Sequence, residues 1–444
     1  MNEAAAWRST PARPSLAEVY KSIEIPQGAS VWRKLLAFAG PGYLVAVGYM
    51  DPGNWATDIA GGSIFNYTLL CVILISNMMA MLLQALSAKL GIVTGRDLAQ
   101  ACRDHYSRPV GYGLWVLCEI AIAACDLAEV IGSAIALNLL FSIPLIWGVC
   151  ITAGDVLILL LLQNKGFRYV ECLVISLVVI IGGSFLAEII FSKPDLGGVL
   201  RGFVPNPEIL RNPAMLYIAI GILGATVMPH NLYLHSSIVQ TRNYPETDEG
   251  KKMAIKYATV DSTLALFFAL FINAAILIVS AGVFYKHGYH EVQGIEKAYE
   301  LLTPLMGVPI ASLLFALALL ASGQNSTLTG TLAGQIVMEG FLNLRIPPVV
   351  RRLITRLIAI IPAVIVTALY GVKGTGQLLI LSQVILSLQL SFAVFPLVQF
   401  TSSRAKMGPF VNGWMIKTVS YGIALFIALL NGWLLVQTFR EWFS

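Results

Sequence analysis

The order of apolar and polar positions divides the chain into eleven apolar runs joined by polar connections, at about 36–64, 67–88, 113–141, 145–162, 169–191, 214–240, 257–284, 305–337, 353–370, 377–399 and 414–438. Each reaches the roughly 17 residues or more that an α-helix needs to cross a ~30 Å hydrocarbon core. A transmembrane β-barrel would alternate apolar and polar residues in segments of about ten, and no such alternation is present. The pattern predicts an all-α polytopic membrane protein with eleven transmembrane helices. Residues 1–35 are a polar leading segment without a basic-then-apolar signal sequence, so the first apolar helix is expected to direct insertion.

Two runs are interrupted in mid-membrane. The first breaks at Asp51-Pro52-Gly53-Asn54 and the sixth at Met228-Pro229-His230-Asn231. Both read X-Pro-X-Asn, five spans apart. Five is odd, so the second copy enters the membrane inverted relative to the first. Paired breaks in two halves point to an inverted-repeat transporter with its site at the midplane, where a lone Pro kink would carry no such message. The expected organisation is a first repeat over 36–191 (helices 1–5), an external loop over 192–213, a second repeat over 214–399 (helices 6–10), and a loop with an eleventh helix over 400–444.

Composition narrows the class further. Hydrophobic residues make up 57% of the chain and charged residues 12%, with a mean hydropathy of +0.76; soluble domains carry about 25% charged residues. A soluble enzyme and a disordered chain are both excluded. Of 29 Lys and Arg residues, 21 fall on the side of the N-terminus and 7 on the other, which places the N-terminus in the cytoplasm and, with eleven spans, the C-terminus outside. No basic cluster interleaves with aromatics, so a nucleic-acid partner is not expected. Six cysteines without a CxxC spacing argue against a disulfide framework or a zinc site.

The breaks also carry the chemistry. A proline removes an amide donor and frees backbone carbonyls. The half-helix ending before Asp51 presents the negative end of its dipole, Asp51 adds a formal charge, and Asn54 adds an amide oxygen. The second break offers the Met228 thioether and freed carbonyls near Ala225. A buried carboxylate in a membrane demands a partner, so the set converges on a cation. Sulfur contributes little to Mg²⁺ or Ca²⁺ and suits Mn²⁺, Fe²⁺ and softer divalent ions. Proton coupling has candidates too. Glu119, Asp126 and Glu129 lie on the third helix, the last two at i and i+3 on one face. His230 and His235 lie on the sixth, and histidine exchanges protons near neutral pH.

Asp51-Pro52-Gly53-Asn54 and Ala225-Thr226-Val227-Met228-Pro229-His230-Asn231 resemble the two signature motifs of the Nramp family of proton-coupled divalent-metal transporters. Gly323-Gln324-Asn325-Ser326-Thr327 through Gly334-Gln335 is similar to the family's eighth-helix signature. The resemblance runs from about Trp32 to the eleventh helix. It implies a LeuT-type fold of two inverted five-helix repeats plus one helix, with helices 1 and 6 broken. It also implies uptake of Mn²⁺ or Fe²⁺ with protons through the cell membrane, no enzymatic activity and no cofactor. By position it assigns Asp51, Asn54, the Ala225 carbonyl and Met228 as metal ligands, with Gln383 approaching the ion. It places Asp126, Glu129, His230 and His235, with Glu119, Arg351 and Arg352, on a proton path that Asp51 shares. Ser391 stands where the family pattern has proline.

Three rivals fit less well. A Na⁺-coupled amino-acid symporter would need a half-helix N-terminus free for a substrate carboxylate, which Asp51 would repel. An intramembrane hydrolase would need His-Glu-x-x-His or Gly-x-Ser-x-Gly, and neither occurs. A channel has little use for one broken-helix pair with one chelating carboxylate. Asp155, Glu188 and Asp261 read as local partners or helix-end groups rather than ligands.

Overall fold

The computed structural model describes Trp7 and residues 13–26, 28, 30–152, 154, 167–290, 292 and 294–443. In chain order the helices are α1 (Val31–Phe38), α2 (Pro41–Gly48), α3 (Pro52–Phe65), α4 (Leu70–Thr94), α5 (Leu98–His105), α6 (Arg108–Phe141), α7 (Leu145–Thr152), α8 (Phe167–Ser192), α9 (Leu196–Gly202) and α10 (Glu208–Arg211). The second half holds α11 (Pro213–Val227), α12 (Pro229–Ile238), α13 (Asp248–Val283), α14 (Ile295–Met306), α15 (Ala311–Leu342), α16 (Pro348–Thr401), α17 (Arg404–Met407) and α18 (Trp414–Phe443). Among the described residues, eight helical stretches are long and apolar enough to cross a membrane.

The first run is absent from that set because residues 49–51 separate its halves. Its halves α2 and α3, of 8 and 14 residues, are about 12 and 21 Å long, each too short alone and together about one membrane thickness. The sixth run is broken too, into α11 and α12, but only Met228 interrupts it and it counts among the eight as Pro213–Thr241. Half of the expected fourth span, residues 145–162, lies outside the described residues, as does Asp155. The eighth starts later than its apolar run: Gly307, at φ +68°, ends amphipathic α14, and the crossing helix begins at Ala311.

One element differs from expectation. The runs at 353–370 and 377–399 form a single helix, α16, of 54 residues, of which Gly374–Thr401 is long and apolar enough to cross. The expected connection, 370–376, contains no proline, so no residue in it is barred from helical geometry. Helix α16 also continues through Ser391, with Pro396 inside it.

On the face rich in Lys and Arg, the residues before α1 run across the helix ends. Ser15 Oγ donates to Asp97 at 2.7 Å, the Leu16 amide donates to Glu339, and Lys21 N–H donates to the Gln240 carbonyl at 3.0 Å. Strand β1 (Ile23–Glu24) pairs in parallel with β2 (Arg242–Asn243), a two-residue exception to an all-α fold. Arg242 is fully buried, pairs with Glu171 of α8 at 2.7 Å and donates to the Phe38 and Ala39 carbonyls. Asp261 of α13 accepts from the Gly40 and Gly42 amides at 3.3 and 2.7 Å, the local partner expected for it. The joint between α1 and α2 is thus clamped from both ends of its dipoles, and α2 is buried along nearly its whole length.

Arg242→Ala would strand Glu171, buried and fastened then only to half-exposed Arg168. Losing one partner of a buried pair costs about 3–5 kcal/mol. The variant is expected to melt several degrees lower and to expose a cysteine placed at Val45 to a membrane-impermeant thiol reagent. Unchanged melting and labelling would count against the clamp.

A candidate metal site at the two helix breaks

Each break follows from its proline. In the first, α2 tightens into i→i−3 bonds, with Tyr49 N–H donating to Ala46 O and Met50 N–H to Val47 O. Asp51 then turns extended (φ −69°, ψ 164°) and caps α3, accepting the Asn54 amide at 2.8 Å, with Pro52 in the first helical turn. Pro52 has no N–H for the Gly48 carbonyl four residues back. In the second break Pro229 likewise has none for Ala225. Met228, between the half-helices, is held at φ +23°, ψ 105°. That is a strained conformation for a side chain without local hydrogen bonding, of order 1–3 kcal/mol, and such strain gathers at functional sites.

The breaks meet at one place. Asp51, Asn54, Ala225, Met228 and Gln383 are all buried. A Cβ built on Gly53 would fall 1.7 Å from the Gln383 amide nitrogen, so Gln383 of α16 lies directly on the Asp51–Asn54 turn. A Cβ on Gly224 would fall 2.2 Å from the Gln383 carbonyl oxygen, so α11 and α16 touch backbone to backbone one residue before Ala225. A Cβ on Gly48 would fall 3.0 Å from the Met228 sulfur, which sets the thioether against the open end of α2. Glycine at these three points is what lets the elements close on one another.

Three acceptor oxygens there have no donor: Asp51 Oδ2, Asn54 Oδ1 and Gln383 Oε1. Asn54 spends its amide nitrogen on the Tyr49 carbonyl at 3.0 Å, which turns its oxygen away from that bond. A buried polar atom without a partner costs about 1–3 kcal/mol, more when charged. Three acceptors beside a thioether have the chemistry of a divalent-ion shell with one formal charge. Among the described residues no three His, Cys, Asp or Glu converge on a metal-sized space. A single carboxylate suits an ion that must also leave.

The titratable groups cluster beside the breaks. Asp126 and Glu129 of α6 are buried, and Cys125, next to Asp126, packs with Met228 and Leu386. Thr327 of α15 donates to Glu129 at 3.2 Å, and a Cβ on Gly330 would stand 2.8 Å from Glu129 Oε1 and 3.3 Å from Asp126 Oδ1. His230, on α12, is buried with Nδ1 unpaired. His235 Nδ1 faces Gln84 Oε1 at 3.1 Å, while Gln84 Nε2 donates to the Tyr49 hydroxyl at 2.9 Å. His235 thus shares the Gln84 amide through Nδ1, while its Nε2 is buried without a partner.

Other expected residues stand apart. Glu119, half-buried, accepts from Trp115 Nε1 at 3.0 Å two turns before Asp126. The side chains of Arg351 and Arg352 lie outside the described ones. Glu188, one turn from the C-terminal end of α8, is buried with neither oxygen paired. Gln84 is not among the expected residues and Thr327 enters only within the eighth-helix motif, although each is a polar residue inside an apolar helix, a signal that could have marked it.

The sequence model described as natural resistance-associated macrophage protein-like, Nramp, matches residues 42–437. The chain belongs to the Nramp family. It is 66% identical to a protein of Listeria welshimeri named divalent metal cation transporter MntH, over 98% of this chain and 97% of that one. A Nostoc protein of the same name is also 66% identical, covering 97% of each chain. Among solved structures it resembles the Eremococcus coleocola manganese transporter in complex with an aromatic bis-isothiourea substituted compound, at TM-score 0.87 and 44% identity, over 94% of this chain and 90% of that one. Mhp1, a nucleobase-cation-symport-1 family transporter in a closed conformation, matches at TM-score 0.59 and 16% identity over 89% and 92% of the two chains. That last likeness is one of fold alone, and it extends the Nramp chain's LeuT-type architecture beyond its own family. These relatives are named as transporters, not enzymes.

Proposed function

We propose that this Nramp chain carries Mn²⁺ or Fe²⁺ into the cytoplasm together with protons, by alternating access around the two broken helices. The observation that carries the reading is the set of three donorless buried oxygens and one thioether where the breaks meet. Asp51, Asn54, the Ala225 carbonyl, Met228 and Gln383 hold the ion. Pro229 leaves the Ala225 carbonyl without its helical donor, which supports a backbone ligand there.

A metal takes only the deprotonated carboxylate, so loading Asp51 displaces a proton, which couples the two ions chemically. Asp126, Glu129, His230 and His235 supply acceptors close by, and Glu119, Arg351 and Arg352 extend the route toward the basic face. The basic bias of the loops supports a cytoplasmic N-terminus at the cell membrane. An amino-acid symporter on this architecture is disfavoured by Asp51 Oδ2, which would face the substrate carboxylate.

Liposomes holding the protein are expected to take up Mn²⁺ and acidify inside, read by a metal-sensing dye and a pH dye. Amino-acid uptake without metal flux would sink the reading. Met228→Ala removes the one soft ligand, so it is expected to admit Ca²⁺ while keeping part of the Mn²⁺ flux. Calcium still excluded in that variant would mean that the sulfur is not the filter.

A further inference from the structure

Asn231 occupies in the second break the place of Asn54 in the first, and none of the steps above employs it. Its side chain is fully buried. The amide nitrogen donates to the Met228 sulfur at 3.6 Å and to the Val45 carbonyl of α2 at 3.3 Å, so both of its hydrogens are used. It occupies a notch left by Gly48, where a Cβ would fall 2.2 Å from Asn231 Nδ2 and 3.0 Å from the Met228 sulfur. The bond to Val45 ties the amide to the opposite half-helix, so the sulfur is held relative to the first break as well as its own.

A methionine side chain turns about three bonds, and ordering it on ion binding costs rotamer entropy. An N–H···S bond occupies one sulfur lone pair, fixes the rotamer before the ion arrives, and leaves the second lone pair free. We propose that Asn231 is a positioning residue that aims the free lone pair of Met228 at the ion and so sets the preference for thiophilic over hard divalent cations. This rests on Met228 being a metal ligand. A residue that merely braced α12 against α2 would use the Val45 carbonyl and have no business with the sulfur, and the two roles separate experimentally.

The full chain is reconstituted as wild type, Asn231→Ala, Met228→Ala and the double variant, and initial uptake of Cd²⁺ and Ca²⁺ is measured. Asn231→Ala is expected to raise the KM for Cd²⁺ about fivefold, the scale of one lost weak hydrogen bond, with a smaller change in kcat. On the Met228→Ala background the same substitution is expected to leave the Cd²⁺ KM nearly unchanged. In protein labelled with ¹³C-methyl methionine, the resonance missing from Met228→Ala is expected to shift in Asn231→Ala. If Asn231→Ala does not fold, Asn231→Leu fills the notch at similar volume without an N–H donor and is expected to give the same KM rise and the same shift. Equal losses of Cd²⁺ transport with and without Met228 would overturn the proposal. So would an unmoved resonance with wild-type Cd²⁺ kinetics in a chain whose selectivity Met228→Ala does alter. A Met228→Ala variant with wild-type discrimination would instead remove the thioether from the site, and the role of Asn231 with it.

Discussion

Asp51→Asn is expected to weaken Mn²⁺ binding at least about a hundredfold in calorimetry, because breaking a buried charge pair costs about 3–5 kcal/mol. Asparagine is the informative replacement. Asp51 has two tasks, and the amide keeps one of them: its oxygen can still accept the Asn54 N–H bond that caps α3 at 2.8 Å. Alanine would lose that cap too, at about 1 kcal/mol, and mix a folding effect into the binding result. The charge is what the ion needs, since Asn54, Gln383 and the thioether contribute none. In the metal-free protein the substitution should be neutral or stabilising, because Asp51 Oδ2 is a buried carboxylate oxygen with no donor. A variant that melts no lower than wild type yet fails to bind Mn²⁺ is the expected pair of results. Wild-type affinity would remove Asp51 from the site. The wild-type protein should also release protons as it takes up Mn²⁺, and the variant should not.

The site was legible in the sequence to the extent that it rests on proline. Pro52 and Pro229 announce where the helices stop, and each names by subtraction the carbonyl it deprives, Gly48 and Ala225. Polar residues next to such a break are conspicuous in an apolar run, which is why Asp51, Asn54 and Met228 could be selected. Gln383 is different. Its helix carries several polar residues, Gln383, Ser387, Gln389 and Ser391 among them, and periodicity alone does not say which one meets the broken helices. The contact with Gly53 decides that, and it depends on how α16 crosses α3, a tertiary fact with no local signature. Gln84, and the contact that Thr327 makes, escape the sequence for the same reason. Each acts through a residue far along the chain, Gln84 through His235 and Thr327 through Glu129.

Span boundaries were less legible than the spans, even where a turn residue enforces them. Gly307 ends α14 by its left-handed backbone, which hydropathy cannot register because the residues on both sides are apolar. The stretch at 370–376 has glycines and one lysine but no proline, so its composition predicts a turn while its backbone remains free to stay helical, as it does in α16. The clamp on the joint of α1 and α2 was invisible in another way. Arg242 counts in the sequence as one more positive charge on the basic side, yet the folded chain buries it completely against Glu171.

Glu129→Gln is expected to separate metal flux from proton flux. Glutamine is nearly isosteric, and its side-chain oxygen can still accept from Thr327, which donates to Glu129 at 3.2 Å. The pocket should therefore survive, the more so because Gly330 leaves little room beyond the present side chain. What is lost is a group that can take up and release a proton next to Asp126 and the metal shell. Metal binding should persist, since Asp51 and its companions are untouched. In liposomes, Mn²⁺ uptake should continue at a reduced rate, while the acidification that accompanies it falls toward that of protein-free vesicles. Uptake should also lose most of its stimulation by external acid. Alanine at the same position would leave a cavity beside Gly330 and confuse loss of the proton site with loss of packing, so glutamine is the better probe. Acidification per Mn²⁺ ion equal to that of the wild type would take Glu129 off the path and leave the proton to Asp126 and the two histidines of α12.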